Sequence, residues 1–297
     1  MEFARQPATP ASTPTTSPPA LRIAVAALAL GFTVSAFAAD PAATTELTSA
    51  QIVAKNVAAR GGLDAWRKIE SMVLLGHVES ADAPMPNMQF MLEQKRPNKS
   101  RFEIKAMDQT SVRAFDGTRG WKSHPPRSGE PAVQPYTSDE VRFARETFGI
   151  EGPLIDHEAK GLAVTLDGVD QVGGRKTYRL NVRPPFGASH HVWIDAETFL
   201  EAKADRSSRN LSGLTARVTV YYRDYKTVEG LQIPGVIETG IGSAKPTDRM
   251  VIERVSLNPP LDDRIFARPT AMSTRRSSLW VRSGAPQSVQ GAPRPTN

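Results

Sequence analysis

From Met72 onward, the apolar residues of this chain recur at every second position in run after run, a period that excludes most architectures. Met88, Phe90 and Leu92 alternate with Gln89 and Glu93, and Phe102 and Ile104 with Arg101, Glu103 and Lys105. Tyr178, Leu180 and Val182 alternate with Thr177, Arg179 and Asn181, and Val218, Val220 and Tyr222 with Arg217, Thr219 and Tyr221. Successive side chains of a strand point to opposite faces, so such runs suit an antiparallel sheet with one apolar face and one wet face. Asp116-Gly117, Asp167-Gly168, Gly173-Gly174, Asp195-Ala196 and Glu229-Gly230 read as turns between the runs. The count is about ten strands, joined by short turns rather than helices, which argues against a parallel α/β sheet. No fixed-period repeat points to a propeller or solenoid.

Three stretches break the period. Thr48-Ser49-Ala50-Gln51 is a capping box that opens a helix with Ile52, Val53 and Val57 on one stripe, closed by Gly61-Gly62. Leu63, Trp66 and Ile69 mark a second short helix with Trp66 as a core anchor. Thr137 with Glu140 is a second capping box, followed by Val141, Ala144 and Phe148 on one face before Gly149. A long antiparallel sheet must curl, and its apolar face needs a cover. The expected fold is therefore mainly β with a few helices (α+β), a curved antiparallel sheet wrapped around short helices.

The ends are expected to lie outside that fold. Ile23 to Ala38 is an apolar run of 16 residues behind Arg22, ending in Ala36-Phe37-Ala38. It is too short for a comfortable membrane span and has the small residues that signal peptidase requires, so residues 1–38 read as a signal peptide with a Pro/Thr-rich leader. Cleavage near Ala38 places the mature chain in the periplasm. Residues 39–270 then form the folded domain, and 271–297, rich in Ser, Arg, Pro and Gln, a disordered basic tail.

Composition removes several functions. The chain has no cysteine, which excludes disulfides, thiolate metal sites, cysteine nucleophiles and lipid attachment at a mature N-terminal cysteine. The pI of about 9.6 suggests nucleic acid, but between Ala39 and Ala271 there are 31 basic and 30 acidic residues, so no basic footprint for phosphate backbones exists there. His190 and His191 are adjacent on a strand and point to opposite faces, and His77, His124 and His157 lie far apart, so no metal site is expected. There is no G-x-S-x-G elbow, and Ser189 beside His190 is no dyad signal. Gly240 to Pro246 lacks the spacing of a phosphate loop and reads as a hairpin loop; Asp195 and Glu197 read as solvated turn carboxylates rather than an acid–base pair. No catalytic residue, cofactor or metal is nominated.

Seven segments, in order, carry a resemblance. They are Ala54 to Gly76 (AKNVAARGGLDAWRKIESMVLLG), Ala114 to Trp121 (AFDGTRGW), Gly152 to Gly161 (GPLIDHEAKG), Gly173 to Val182 (GGRKTYRLNV), Val192 to Ala204 (VWIDAETFLEAKA), Tyr222 to Glu238 (YRDYKTVEGLQIPGVIE) and Val251 to Pro269 (VIERVSLNPPLDDRIFARP). Together the set resembles the periplasmic outer-membrane lipoprotein-sorting proteins with the LolA/LolB-like fold. The same scaffold is similar to that of RseB-type sensors of envelope stress. The resemblance implies an unclosed half-barrel capped by helices, with an apolar cavity between. It also implies a monomeric, non-catalytic carrier or sensor of lipoprotein acyl chains or other lipids, working with envelope membrane proteins and not with nucleic acid.

An acyl carrier needs adaptable apolar side chains that its own core does not fill. The cavity candidates by parity are Met88, Phe90, Leu92, Phe102, Ile104, Val218, Val220 and Tyr222, although residues of this kind are more often ordinary core than cavity lining, since most buried apolar residues simply pack. Met85, Met88 and Met91 lie close together, but Met88 and Met91 have opposite parity and face apart unless a bulge intervenes. Two other functions compete: an interaction protein with a filled core that docks a partner through its sheet edge, and a secreted hydrolase with a triad drawn from distant positions.

Overall fold

The alternating runs form strands, and thirteen of these pair into one antiparallel sheet. The computed structural model describes residues 47–80, 87–125, 132–146, 149–209, 215–241 and 246–269. The leader over 1–38 with its cleavage point, the tail over 271–297, Met85 and Phe148 lie outside the described residues.

The order along the chain is α1 (Ser49–Ala59), α2 (Leu63–Arg67), β1 (Ser71–Ser80), β2 (Asn87–Lys95), β3 (Lys99–Ala106), β4 (Gln109–Phe115), β5 (Gly120–Ser123), β6 (Val133–Pro135) and α3 (Ser138–Glu146). It continues with β7 (Ala163–Val172), β8 (Arg175–Arg183), β9 (His190–Asp195), β10 (Glu201–Arg209), β11 (Thr215–Arg223), β12 (Lys226–Val228), β13 (Leu231–Ile233), β14 (Val236–Ile241) and β15 (Asp248–Leu257). In space the large sheet runs β6-β5-β4-β3-β2-β1-β15-β14-β11-β10-β9-β8-β7, and β12 and β13 form a separate hairpin. Its end strands, β6 and β7, do not pair with each other, so the sheet stays an unclosed half-barrel. The expected count of strands was low because β5, β6, β12 and β13 are three or four residues long, too short to display a period.

Both capping boxes form. The Thr48 hydroxyl accepts from the Gln51 N–H while the Gln51 side chain accepts from the Thr48 N–H. Thr137 and Glu140 repeat the arrangement at α3. The helices cover one face of the sheet, called here the inner face. Ile52 and Val53 of α1 pack with Leu180, Val182, Val192 and Ile194. Trp66 of α2 is fully buried with Met72, Leu74, Phe90 and Ile252. At Gly76, where β1 shifts register against β15, a Cβ would lie 1.9 Å from the Val251 carbonyl oxygen, so only glycine lets the two strands approach.

Two expectations need correction. Asp167-Gly168 is not a turn. Both residues lie inside β7, where Leu166 pairs with Leu180 and Gly168 with Arg179; the skipped residue is a bulge, and Gly168 takes a φ of +132° to make it. A bulge and a turn draw on the same residue types, so the dipeptide alone could not separate them.

The outer face is not wet throughout either. After β15 the chain crosses behind β1–β5 as a strap, Asn258 to Pro269. Leu261 packs on Val73, Leu75 and Met91, and Phe266 is fully buried. The strap is fastened mainly by side chains. Asn258 accepts from the Glu70 N–H at 2.7 Å, the Ser71 hydroxyl donates to the Pro259 carbonyl at 2.6 Å, and Trp121 Nε1 donates to the Phe266 carbonyl at 3.0 Å. Lys95 and Lys99 both pair with Asp263. The strap explains how Met91, on the face opposite Met88, is nonetheless buried.

Candidate functional site

Strand register assembles the site. Val78 on β1 pairs with Met88 on β2 and Met250 on β15; Met250 pairs with Ile237, and Ile237 with Tyr222. Phe90 pairs with Ile104, and Leu92 with Phe102. Val220 pairs with Ala204, which pairs with Val192, and Val192 with Leu180 under α1. All eight cavity candidates therefore share the inner face.

Their burial differs. Phe90 is 0% exposed and is plain core, its ring 5.9 Å from that of Phe102. Met88, Leu92, Phe102 and Ile104 are partly exposed and lean on the core under α2. Val218, Val220 and Tyr222 are also partly exposed and belong to none of the buried clusters among the described residues. Ile237 and Met250 are partly exposed beside them, and Ile241, opposite Val218, is 64% exposed. The helices thus fill one end of the inner face, and an apolar surface continues past them only half covered.

The β4 side of that surface is charged. Arg113 stands opposite Phe102 in register, and Lys122 opposite Arg113. Both reach Glu140 on α3: Arg113 Nη2 at 3.0 Å, Lys122 Nζ at 2.9 and 3.1 Å. Burial alone would raise the Glu140 carboxyl, but the Lys122 and Thr137 hydrogen bonds and the Arg113 charge override it and hold it down to about 2. Across the sheet, the Ser80 hydroxyl donates to Asp248 at 2.5 Å.

No protein-family model matches the sequence, and no curated protein matches it. Solved structures do. The chain is similar to a LolA superfamily protein from Nitrosomonas europaea, at 14% identity over 75% of this chain and 98% of that one, with a TM-score of 0.47. It is also similar to a DUF1329 family protein from Desulfovibrio piger, at 14% identity over 74% and 97%, with a TM-score of 0.47. A third is an outer membrane lipoprotein-sorting protein domain from Vibrio parahaemolyticus, at 12% identity over 72% and 94%, with a TM-score of 0.40.

The remaining polar candidates separate. His190 faces inward and is pushed down to about 4 by burial, hence neutral at physiological pH, while His191 on the outer face meets Asp167 at 3.1 Å and Asp205 at 3.4 Å. Among the described residues no group of His, Cys, Asp or Glu is arranged to hold a metal ion. Asp195 corrects an expectation: it is buried, not solvated. Burial would raise its carboxyl, yet the Thr198 and Glu197 N–H groups and Arg175 at 2.6 Å hold it below the usual range, so it organises the turn after β9. Glu197 is exposed as expected. An open groove of about 740 Å³ lies where the strap leaves the sheet, lined by Lys68, Glu70, Lys95, Pro259 and Leu261 among others, apart from the inner face.

Sequence reasoning did not find the Arg113–Lys122–Glu140 group. Glu140 was visible as a capping residue, but its two cations lie on strands joined to α3 only through the fold.

Proposed function

We propose that this chain is a non-catalytic periplasmic carrier or sensor that holds the acyl chains of lipoproteins or similar amphiphiles on its inner face, with outer-membrane lipoprotein sorting as its setting. The observation that carries the reading is the half-covered apolar surface formed by Met88, Ile104, Val218, Val220, Ile237 and Met250. The ordered family resemblance and the export signal read in residues 1–38 support it. Burying a chain of about fourteen carbons is worth on the order of 10 kcal/mol before ordering costs, so micromolar binding needs no polar contact.

Mass spectrometry of lipid extracted from the full chain, purified from its own envelope, tests this. Bound acyl lipid is the expected result. Val220→Lys lowers its recovery at an unchanged melting temperature, since Val220 sits outside the buried clusters. A chain that arrives empty and takes up no fluorescent fatty acid rules the reading out.

One observation favours a second reading. β7 is a ten-residue edge strand, whereas β6 at the other edge has three residues, one of them Pro135, and gives its Val133 carbonyl to Arg268. A long free edge suits an extended partner that adds a strand. Hydrogen exchange at Ala163–Val172 that slows in an envelope extract, with no lipid bound, supports that role instead.

A further inference from the structure

A hydrocarbon chain on the inner face has a polar end, and the residues beside the apolar surface restrict what that end can be. Glu140 is saturated. Its Oε1 accepts from Arg113 and Lys122, and its Oε2 from Lys122 and the Thr137 N–H. Two cations therefore share one carboxylate, with a net positive charge next to Phe102. The two are not equally available: the Lys122 side chain is 18% exposed and that of Arg113 45%. The Arg113 guanidinium also lies 5.2 Å from the centre of the Tyr136 ring and hydrogen-bonds the side chain of that residue, which fixes its plane while nearly half of the side chain stays exposed. A guanidinium fixed this way and only partly used by Glu140 can still offer paired N–H groups to an oxyanion.

We propose that Arg113, backed by Lys122, receives the anionic headgroup of a single-chain amphiphile, a fatty acid or an alkyl sulfate or phosphate, whose hydrocarbon lies over Phe102, Ile104 and Met88. This rests on the carrier reading and narrows it: neutral and cationic amphiphiles of the same chain length lack the ion pair. Arg113 is a binding residue here, not only a clamp on α3. A clamp would affect stability but would not discriminate between headgroups.

The test is titration of the purified full chain, below micellar concentrations, with laurate, monolaurin and dodecyltrimethylammonium. Laurate is expected to bind at least about tenfold tighter than the other two, the size of effect a charge-assisted bidentate contact supports. Arg113→Gln is expected to erase that preference and Arg113→Lys to weaken it, since lysine keeps the charge but not the paired N–H groups, with melting temperatures recorded for both so that loss of folding is recognised. If Arg113→Gln fails to fold, Arg113→Lys against the native chain decides: a preference weakened while the melting temperature holds supports recognition by the Arg113 N–H pair, and one retained in full overturns it. Equal affinity for all three amphiphiles in the native chain, or a preference that survives Arg113→Gln, overturns this proposal and leaves the carrier reading standing. Binding of none of the three overturns both.

Discussion

Arg60 ends α1 with its side chain inside the protein. Its Nη1 lies 2.7 Å from Glu201 Oε1, its Nε donates to the Gln232 carbonyl at 3.0 Å, and the guanidinium sits 4.7 Å from the Trp66 ring centre. The Tyr225 hydroxyl donates to the other Glu201 oxygen at 3.2 Å. Buried pairs are weak stabilisers as pairs but costly to halve. Arg60→Ala is therefore expected to cost about 3–5 kcal/mol in urea unfolding, and Arg60→Met with Glu201→Leu much less. Glu93 has the opposite sign. Burial pushes its carboxyl up despite Arg101 at 3.1 Å. The folded protein holds that proton where the unfolded chain has shed it, so ionised Glu93 costs stability at neutral pH and costs nothing below the ordinary carboxylate range. Because Arg101 also pairs with Glu103 and so keeps a partner, Glu93→Gln is expected to raise the unfolding free energy at pH 7 and to leave it unchanged at pH 3. None of these pairings was legible beforehand, because a buried ion pair between positions 60 and 201 leaves no local pattern.

At the scale of elements, α3 and the strap show what a sequence does and does not disclose. The capping box of α3 was legible because its two residues are three positions apart and their bonds are local. Its pH behaviour follows from the cations that the fold adds. Glu140, held down to about 2, contributes stability that is present above the ordinary carboxylate range and lost as pH falls toward 2. Glu140→Gln should therefore lower the melting temperature at pH 7 and by progressively less as pH falls from 5 toward 2. The strap has no period of its own, so its role was hidden; Leu261 lies between Pro260 and Asp262, and Phe266 in the short apolar run Ile265–Ala267 between arginines. Phe266→Ala is expected to cost about 3–5 kcal/mol, the range for emptying a buried phenylalanine site, and to speed amide exchange first in β5, where Trp121 holds the Phe266 carbonyl.

For the whole molecule, alternation was enough to give an antiparallel sheet, and the scarcity of helices gave its curl. The face assignment of all eight candidate residues followed from parity, which register preserves wherever no bulge intervenes. Parity could not say which would be plugged. Phe90 and Val220 look alike in sequence, and only the positions of α1 and α2 make one core and leave the other half open. Removing residues 271–297 is expected to leave the melting temperature unchanged, because that stretch is rich in Ser, Arg, Pro and Gln and carries almost no apolar periodicity.

The pairing of β1 with β15 at the middle of the sheet has a kinetic consequence. The ribosome makes β1 ahead of every other strand and β15 after all of them, and the segment that backs β1 comes later still. Closing so long a loop is slow, and the two halves of the sheet cannot join until β15 has emerged. A nascent chain wired in this way stays threadable until β15 has been made, and folds as a unit once its late strands arrive.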